Sequence, residues 1–328
     1  VASPATTITA SAPLDAAQEA VEHTRRQLFP FRFERWVALG FVAFLDQCGR
    51  TGSLGNFPGG GPGGGGNGKG AGAEVDAALA WLGAHVLLVS VLAALALAFV
   101  VLLMAAVLWV NSRGVFMYVD DVATGRADVG RPWRAHAAHA SSYFAWSFAV
   151  AMAMLIAVLL LVLGGALSVL WIVRARTPSA AVPGIAAIVL LVLLLLAVGL
   201  LVALVTLGQR DFVAPLQMRT GRTCTGAWRL LLALLRAHPG VFVVYVLLKI
   251  CAAFAIGLAA LIVGCGTCCC GFLPVVAQTA LQPAYYFERA WPLFLLRRLG
   301  YDVFPSAPAP PPHVPPRADP LPVAPPPV

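Results

Sequence analysis

Charge is scarce in this chain. Asp, Glu, Lys and Arg make up 11% of its 328 residues, against about 25% in an ordinary soluble domain. The apolar share is 60%, against about 45–50%. A soluble fold could not clothe so much apolar surface, so most of the chain belongs in lipid. Lysine is nearly missing: of 22 basic residues only Lys69 and Lys249 are not Arg. Catalytic signatures are missing too. There is no nucleophile elbow, metalloprotease helix or dinucleotide fingerprint, so neither an enzyme nor a cofactor is expected. Residues 1–28 lack the apolar stretch of a signal peptide, so no cleavable signal is expected. The net charge of +8 suits nucleic acid in other contexts. Here the Arg residues flank apolar runs, which is the membrane pattern. Membrane lipids are therefore the expected partner and nucleic acid is not. A self-partner or a second membrane protein is left open. The wealth of Ala, Gly, Pro and Val, with Arg over Lys, points to GC-rich coding and a bacterium.

What is present is long apolar runs. Val86–Val110, Tyr143–Val173, Ile185–Leu207, Val241–Val263 and Cys268–Phe287 each reach the 17–25 residues that a crossing needs. Each can only be a helix, because an open strand edge in lipid leaves backbone groups unpaired. Trp36–Leu45 is a shorter apolar run. Ahead of it, residues 14–28 place Leu14, Ala17, Val21, Thr24 and Leu28 at helical spacing, a surface helix in a cytoplasmic arm over residues 1–28. Residues 29–304 form the transmembrane domain, interrupted by a Gly-rich loop over 49–76. That loop contains Gly68-Lys69-Gly70 but not the Gly-Lys-Ser/Thr of a phosphate loop, so it reads as a linker. Residues 305–328 are a Pro-rich tail of extended character.

Basic residues set the topology. Counting Trp36–Leu45 as a crossing puts the Arg-rich connections, 111–142 and 208–240, on the same side as both ends of the chain. The Arg-poor connections fall on the other side. The positive-inside rule then predicts an all-α bundle of six spans with N- and C-termini in the cytoplasm of a bacterial inner membrane.

The two Arg-rich connections echo each other. Arg113 matches Arg210, Thr124-Gly125-Arg126 matches Thr220-Gly221-Arg222, Gly130 matches Gly226, and Trp133-Arg134 matches Trp228-Arg229. A repeat of paired crossings followed by an elbow would place Arg126, Trp133, Arg134, Arg222, Trp228 and Arg229 at lipid head groups.

Three clusters invite chemistry. Cys265 and Cys268 form a C-x-x-C, with Cys269 and Cys270 beside them and Cys251 in the preceding helix. Thiolates suit Zn or Cu(I), a redox pair or a disulfide, while ordinary helix packing is the plainer reading. Lys249 and Gln278 lie deep in their apolar runs, which would place both near the bilayer midplane and in reach of each other. A buried ionisable group at that depth suggests transport or gating, although no intramembrane acid is expected to partner it. Asp120 and Asp121 with His136 and His139 would make a cytoplasmic metal site, against a charge-balanced loop as the plainer reading.

The motifs Leu28-Phe29-Pro30…Trp36…Gly40-Phe41…Phe44-Leu45, Cys268-Cys269-Cys270…Pro274 and Arg289-Ala290-Trp291…Phe294-Leu295…Gly300 carry a resemblance over residues 20–305. The chain resembles uncharacterised bacterial polytopic membrane proteins, themselves similar to the membrane domain of some glycerophosphodiester phosphodiesterases. The resemblance implies a six-helix membrane fold and no catalytic residue. The function expected is a non-enzymatic scaffold, accessory or lipid-interacting protein. A permease using Lys249 and Gln278, and a thiol-based metal or redox protein, are the alternatives.

Overall fold

The computed structural model describes residues 11–48, 80–81, 83–175, 177–266 and 275–305. The described residues are 89% helical and contain no strand. The helices are α1 (Ala12–Leu28), α2 (Phe33–Gln47), α3 (Val86–Thr124), α4 (Gly130–Ala135), α5 (Ala137–Arg174), α6 (Pro178–Gly208), a π-helical turn (Gln209–Val213), α7 (Ala214–Thr220), α8 (Cys224–Ala237), α9 (Pro239–Gly266), α10 (Val276–Ala280) and α11 (Gln282–Arg298). The Gly-rich loop, the Pro-rich tail and Cys268 to Cys270 lie outside the described residues.

Four of these helices are long and apolar enough to cross a membrane: Val86–Thr124, Ala137–Arg174, Ser179–Thr220 and Pro239–Val263. Their most apolar stretches are almost wholly unburied. The buried residues instead gather at one end, where α1, α2, α10 and α11 pack with the lower parts of α3 and α9 and with α7 and α8. The molecule is thus a packed base carrying four apolar prongs. In lipid the prongs lose nothing by exposure, because acyl chains are as apolar as Leu.

Among the described residues, four of the six expected crossings appear as prongs. Trp36–Leu45 lies in α2, a helix of 15 residues, about 22 Å long at 1.5 Å per residue. It packs along the lower half of α3. Gly114 permits this contact: a Cβ there would lie 2.6 Å from the Asp46 nitrogen. Asn111 closes the end of α2, its Nδ2 donating to the carbonyls of Leu45 at 3.3 Å and Asp46 at 2.6 Å. These are among the carbonyls that a helix terminus leaves without partners. Cys268–Phe287 falls partly outside the described residues and otherwise on α10 and α11.

The first helix buries only part of the expected set. Ala12, Ala16, Ala20, Thr24 and Leu28 are buried, whereas Leu14 is 49% and Val21 55% exposed. The buried stripe is narrow because α1 lies close against α11, where small residues fit. Arg297 and Arg298 pair with Glu19, Arg298 also with Asp15, and Trp291 Nε1 donates to the Pro13 carbonyl at 2.8 Å. The first and last described helices therefore share one end of the molecule.

Candidate functional site

Six charged side chains meet where the prongs enter the base. Asp46 comes from α2, Arg210 and Asp211 from the π turn, Lys249 from α9, and Glu288 and Arg289 from α11. Three are cationic and three anionic. Arg289 and Asp46 are fully buried, and Lys249 is 5% exposed. Lys249 Nζ lies 2.9 Å from Asp211 Oδ2 and 3.4 Å from Glu288 Oε1, and donates to the Glu288 carbonyl at 3.1 Å. Arg210 Nε donates to Asp46 at 3.0 Å, and its Nη1 reaches Glu288 at 3.1 Å. Arg289 donates to the carbonyls of Arg210 at 2.8 Å and Val115 at 3.0 Å, and lies within 3.6 Å of Asp46 and 3.9 Å of Asp211. Tyr245 adds a hydroxyl bond to Asp211 at 2.7 Å. Every acid is shared by at least two cations, which is the condition under which buried charges become tolerable.

The π turn makes this layer accessible to two neighbours in sequence. Consecutive residues on an α-helix diverge by about 100°, so Arg210 and Asp211 would ordinarily not both face inward. Within Gln209–Val213 all five residues are buried. Single π turns inside helices are frequent at functional sites.

The layer's level is marked by tryptophan. Trp109 meets Trp133 edge-on at 5.8 Å, and Trp146 stacks on Trp228 at 5.0 Å. The Trp228 ring also lies against Gly208, two residues before Arg210. Trp171 marks the other end of the prongs, its Nε1 donating to Ala180 at 2.9 Å. Along α5, Trp146 and Trp171 are about 37 Å apart at 1.5 Å per residue. That spacing suits the two interfacial aromatic belts of a bilayer. The charged layer thus lies level with these tryptophans, beside the base. This changes the depth counted for Lys249 along its apolar run: the first turns of α9, with Val241, Phe242 and Tyr245, are buried in the base, so Lys249 stands at the base end of the exposed prong. It also corrects the expectation that no acid would partner Lys249, since Asp211 and Glu288 both do. Gln278 does not meet Lys249. It bonds Gln47 at 3.5 Å and accepts from the Val275 nitrogen at 3.0 Å.

The two elbows keep their likeness in three dimensions. Gly125 and Gly221 both end a helix at φ 68°, the left-handed cap that favours glycine. Thr124 and Thr220 each donate to the carbonyl four residues back. A short helix with a half-buried Trp follows each turn. Arg126, Arg134, Arg222 and Arg229 are exposed.

Comparison with known proteins adds a family without a function. A family of unknown function, DUF7544, matches residues 11–297. The chain belongs to that family. No curated protein and no solved structure matches it.

The remaining candidates separate. Cys251 and Cys265 are both exposed on α9, about 21 Å apart along the helix, so Cys251 cannot join a site at Cys265. Asp120 pairs with Arg131 and lies 3.3 Å from His136, Asp121 accepts from the Asp128 nitrogen at 3.2 Å, and His139 stacks on Phe116. No group of three metal-ligating side chains occurs among the described residues. Outside the spans, burial depresses the pKa of His23 and raises that of the Cys224 thiol to about 12. Sequence reasoning missed Asp46, Arg210, Asp211, Glu288 and Arg289 as one site. The available signal was that all five stand at the edges of apolar runs.

Proposed function

We propose that this protein is a non-enzymatic component of the bacterial inner membrane. In this reading a lipid-embedded sector supports an ion-paired base at the cytoplasmic face, and the elbows engage anionic head groups. One observation carries the reading: the pair of Trp levels about 37 Å apart along α5, with exposed Arg126, Arg134, Arg222 and Arg229 on the base side. Arginine at an inner-leaflet surface gains about 1 kcal/mol per residue from anionic lipid.

The test is reconstitution into phosphatidylcholine vesicles with and without phosphatidylglycerol. Anionic lipid should raise the melting temperature. Replacing the four elbow arginines with Gln should remove most of that gain. Equal melting temperatures of the unaltered protein in both vesicles would sink the proposal.

A permease is the second reading, favoured by the ion pairs of Lys249 inside a span. It is weaker because Lys249 is almost fully enclosed by Asp211, Glu288 and the rings of Tyr245 and Trp291.

A further inference from the structure

The two elbow repeats treat their matching arginines differently. Arg210 is consumed by the acids of the charged layer. Arg113 is held between two indoles, its guanidinium carbon 5.4 Å from the ring centroids of both Trp109 and Trp133. One donor is spent, Nη1 to the Trp133 carbonyl at 2.9 Å. Among the described residues no carboxylate pairs with it, although nearby Arg131 has Asp120 and Asp128. Arg113 is half-buried, and Trp109 beside it is 44% exposed toward the surface of the prongs.

This is an arginine fixed in place with its remaining donor edge uncommitted. Two aromatic faces and a carbonyl hold the planar fork, so little rotamer freedom remains to be lost on binding. Its height is that of the belt, where the phosphates of a leaflet lie. Arg134, next to Trp133 and exposed, supplies a second positive charge at the same elbow. A phosphodiester accepts two parallel N–H bonds from a guanidinium.

We propose that Arg113, framed by Trp109 and Trp133 and assisted by Arg134, binds the phosphate of one anionic phospholipid. This rests on the membrane reading above, and it adds a discrete site to a surface attraction. The second elbow should not hold a lipid in this way, because its matching arginine faces inward.

Native mass spectrometry of the full chain released from detergent, with phosphatidylglycerol titrated in, reads the site directly. The unaltered protein should retain one lipid in preference to further ones. Arg113→Gln should weaken that first binding by about tenfold, the worth of a charge-assisted pair. Arg113→Lys, which keeps the charge but loses the fork, should fall between them, and it serves if the Gln variant does not elute as folded protein. Inorganic phosphate should compete poorly with the lipid; equal competition would make this a free-phosphate site and overturn the lipid assignment. Unchanged first-lipid affinity in both variants would overturn the site. If that happens while anionic vesicles still stabilise the protein through the elbow arginines, the proposed function stands and only the discrete site falls.

Discussion

Replacing Lys249 with Met removes one cation from a balanced layer of six charges while nearly preserving the volume of the side chain. Asp211 and Glu288 each lose a partner, at 2.9 and 3.4 Å. Arg210 still lies 3.1 Å from Glu288, but only 3.8 Å from Asp211. The layer is left with one uncompensated negative charge in a nearly dry site. Breaking a buried pair by removing one member costs about 3–5 kcal/mol, mostly the penalty on the charge left behind. At about 2–4 °C per kcal/mol for a chain of this class, K249M should melt at least 6 °C below the unaltered protein. Adding Glu288→Gln removes the surplus charge. The double variant K249M/E288Q should therefore be more stable than K249M alone, by about 2 kcal/mol, a coupling ordinary for contacting charges. The assay is thermal unfolding in nanodiscs, followed by tryptophan fluorescence or by loss of the monodisperse peak. Additive losses in the double variant, or a K249M protein that melts normally, would refute the view that charge balance holds the layer together.

Three further outcomes follow from the same geometry. Gly114→Ala should loosen α2 from α3, since its Cβ would meet the Asp46 nitrogen at 2.6 Å; a loss of about 1–3 kcal/mol is expected, read as increased hydrogen exchange at residues 33–47. Gly221→Ala forces a Cβ onto φ 68° with open space around it, so its cost should be backbone strain alone, about 1–2 kcal/mol, and Gly221→Asn should cost less. His23, bonded at 3.0 Å to the Val122 carbonyl and packed against Tyr286, Phe294 and Phe304, has a pKa lowered by burial. Its stabilising share is complete above the ordinary histidine value near 6.5 and is lost as pH falls through and below it. His23→Phe should flatten the pH dependence of melting in that window, and a slope unchanged by the substitution would dismiss the role.

Much of this architecture can be read from residues alone, for identifiable reasons. The apolar runs of α3, α5, α6 and α9 announce themselves by length. The Thr-Gly-Arg echo marks two real left-handed helix caps, because a positive φ demands glycine and leaves a sequence trace. The charged layer leaves only a faint one. Asp46, Asp211 and Glu288 stand at the edges of different apolar runs, and only the descent of α9 into the base brings them to Lys249. Depth counted along one run assumed that lipid begins where apolarity begins, whereas Val241, Phe242 and Tyr245 face protein. In α1 the spacing found Thr24 and Leu28, which are buried, but Ala16 and Ala20 rather than the larger Leu14 and Val21 fit against α11. The π turn at Gln209–Val213 has no sequence signature at all, yet it lets Arg210 and Asp211 both turn inward.

The central claim is that the base, with both the first and last described helices, lies on one side of the bilayer and the α5–α6 turn on the other. Single cysteines at Arg25, Asp302 and Thr177, placed in a cysteine-free background and probed with a membrane-impermeant thiol reagent, test it directly. Arg25→Cys and Asp302→Cys should label from the same face of sealed vesicles, and Thr177→Cys only from the opposite face. Labelling of the first two from different faces, or of all three from one, would contradict the account.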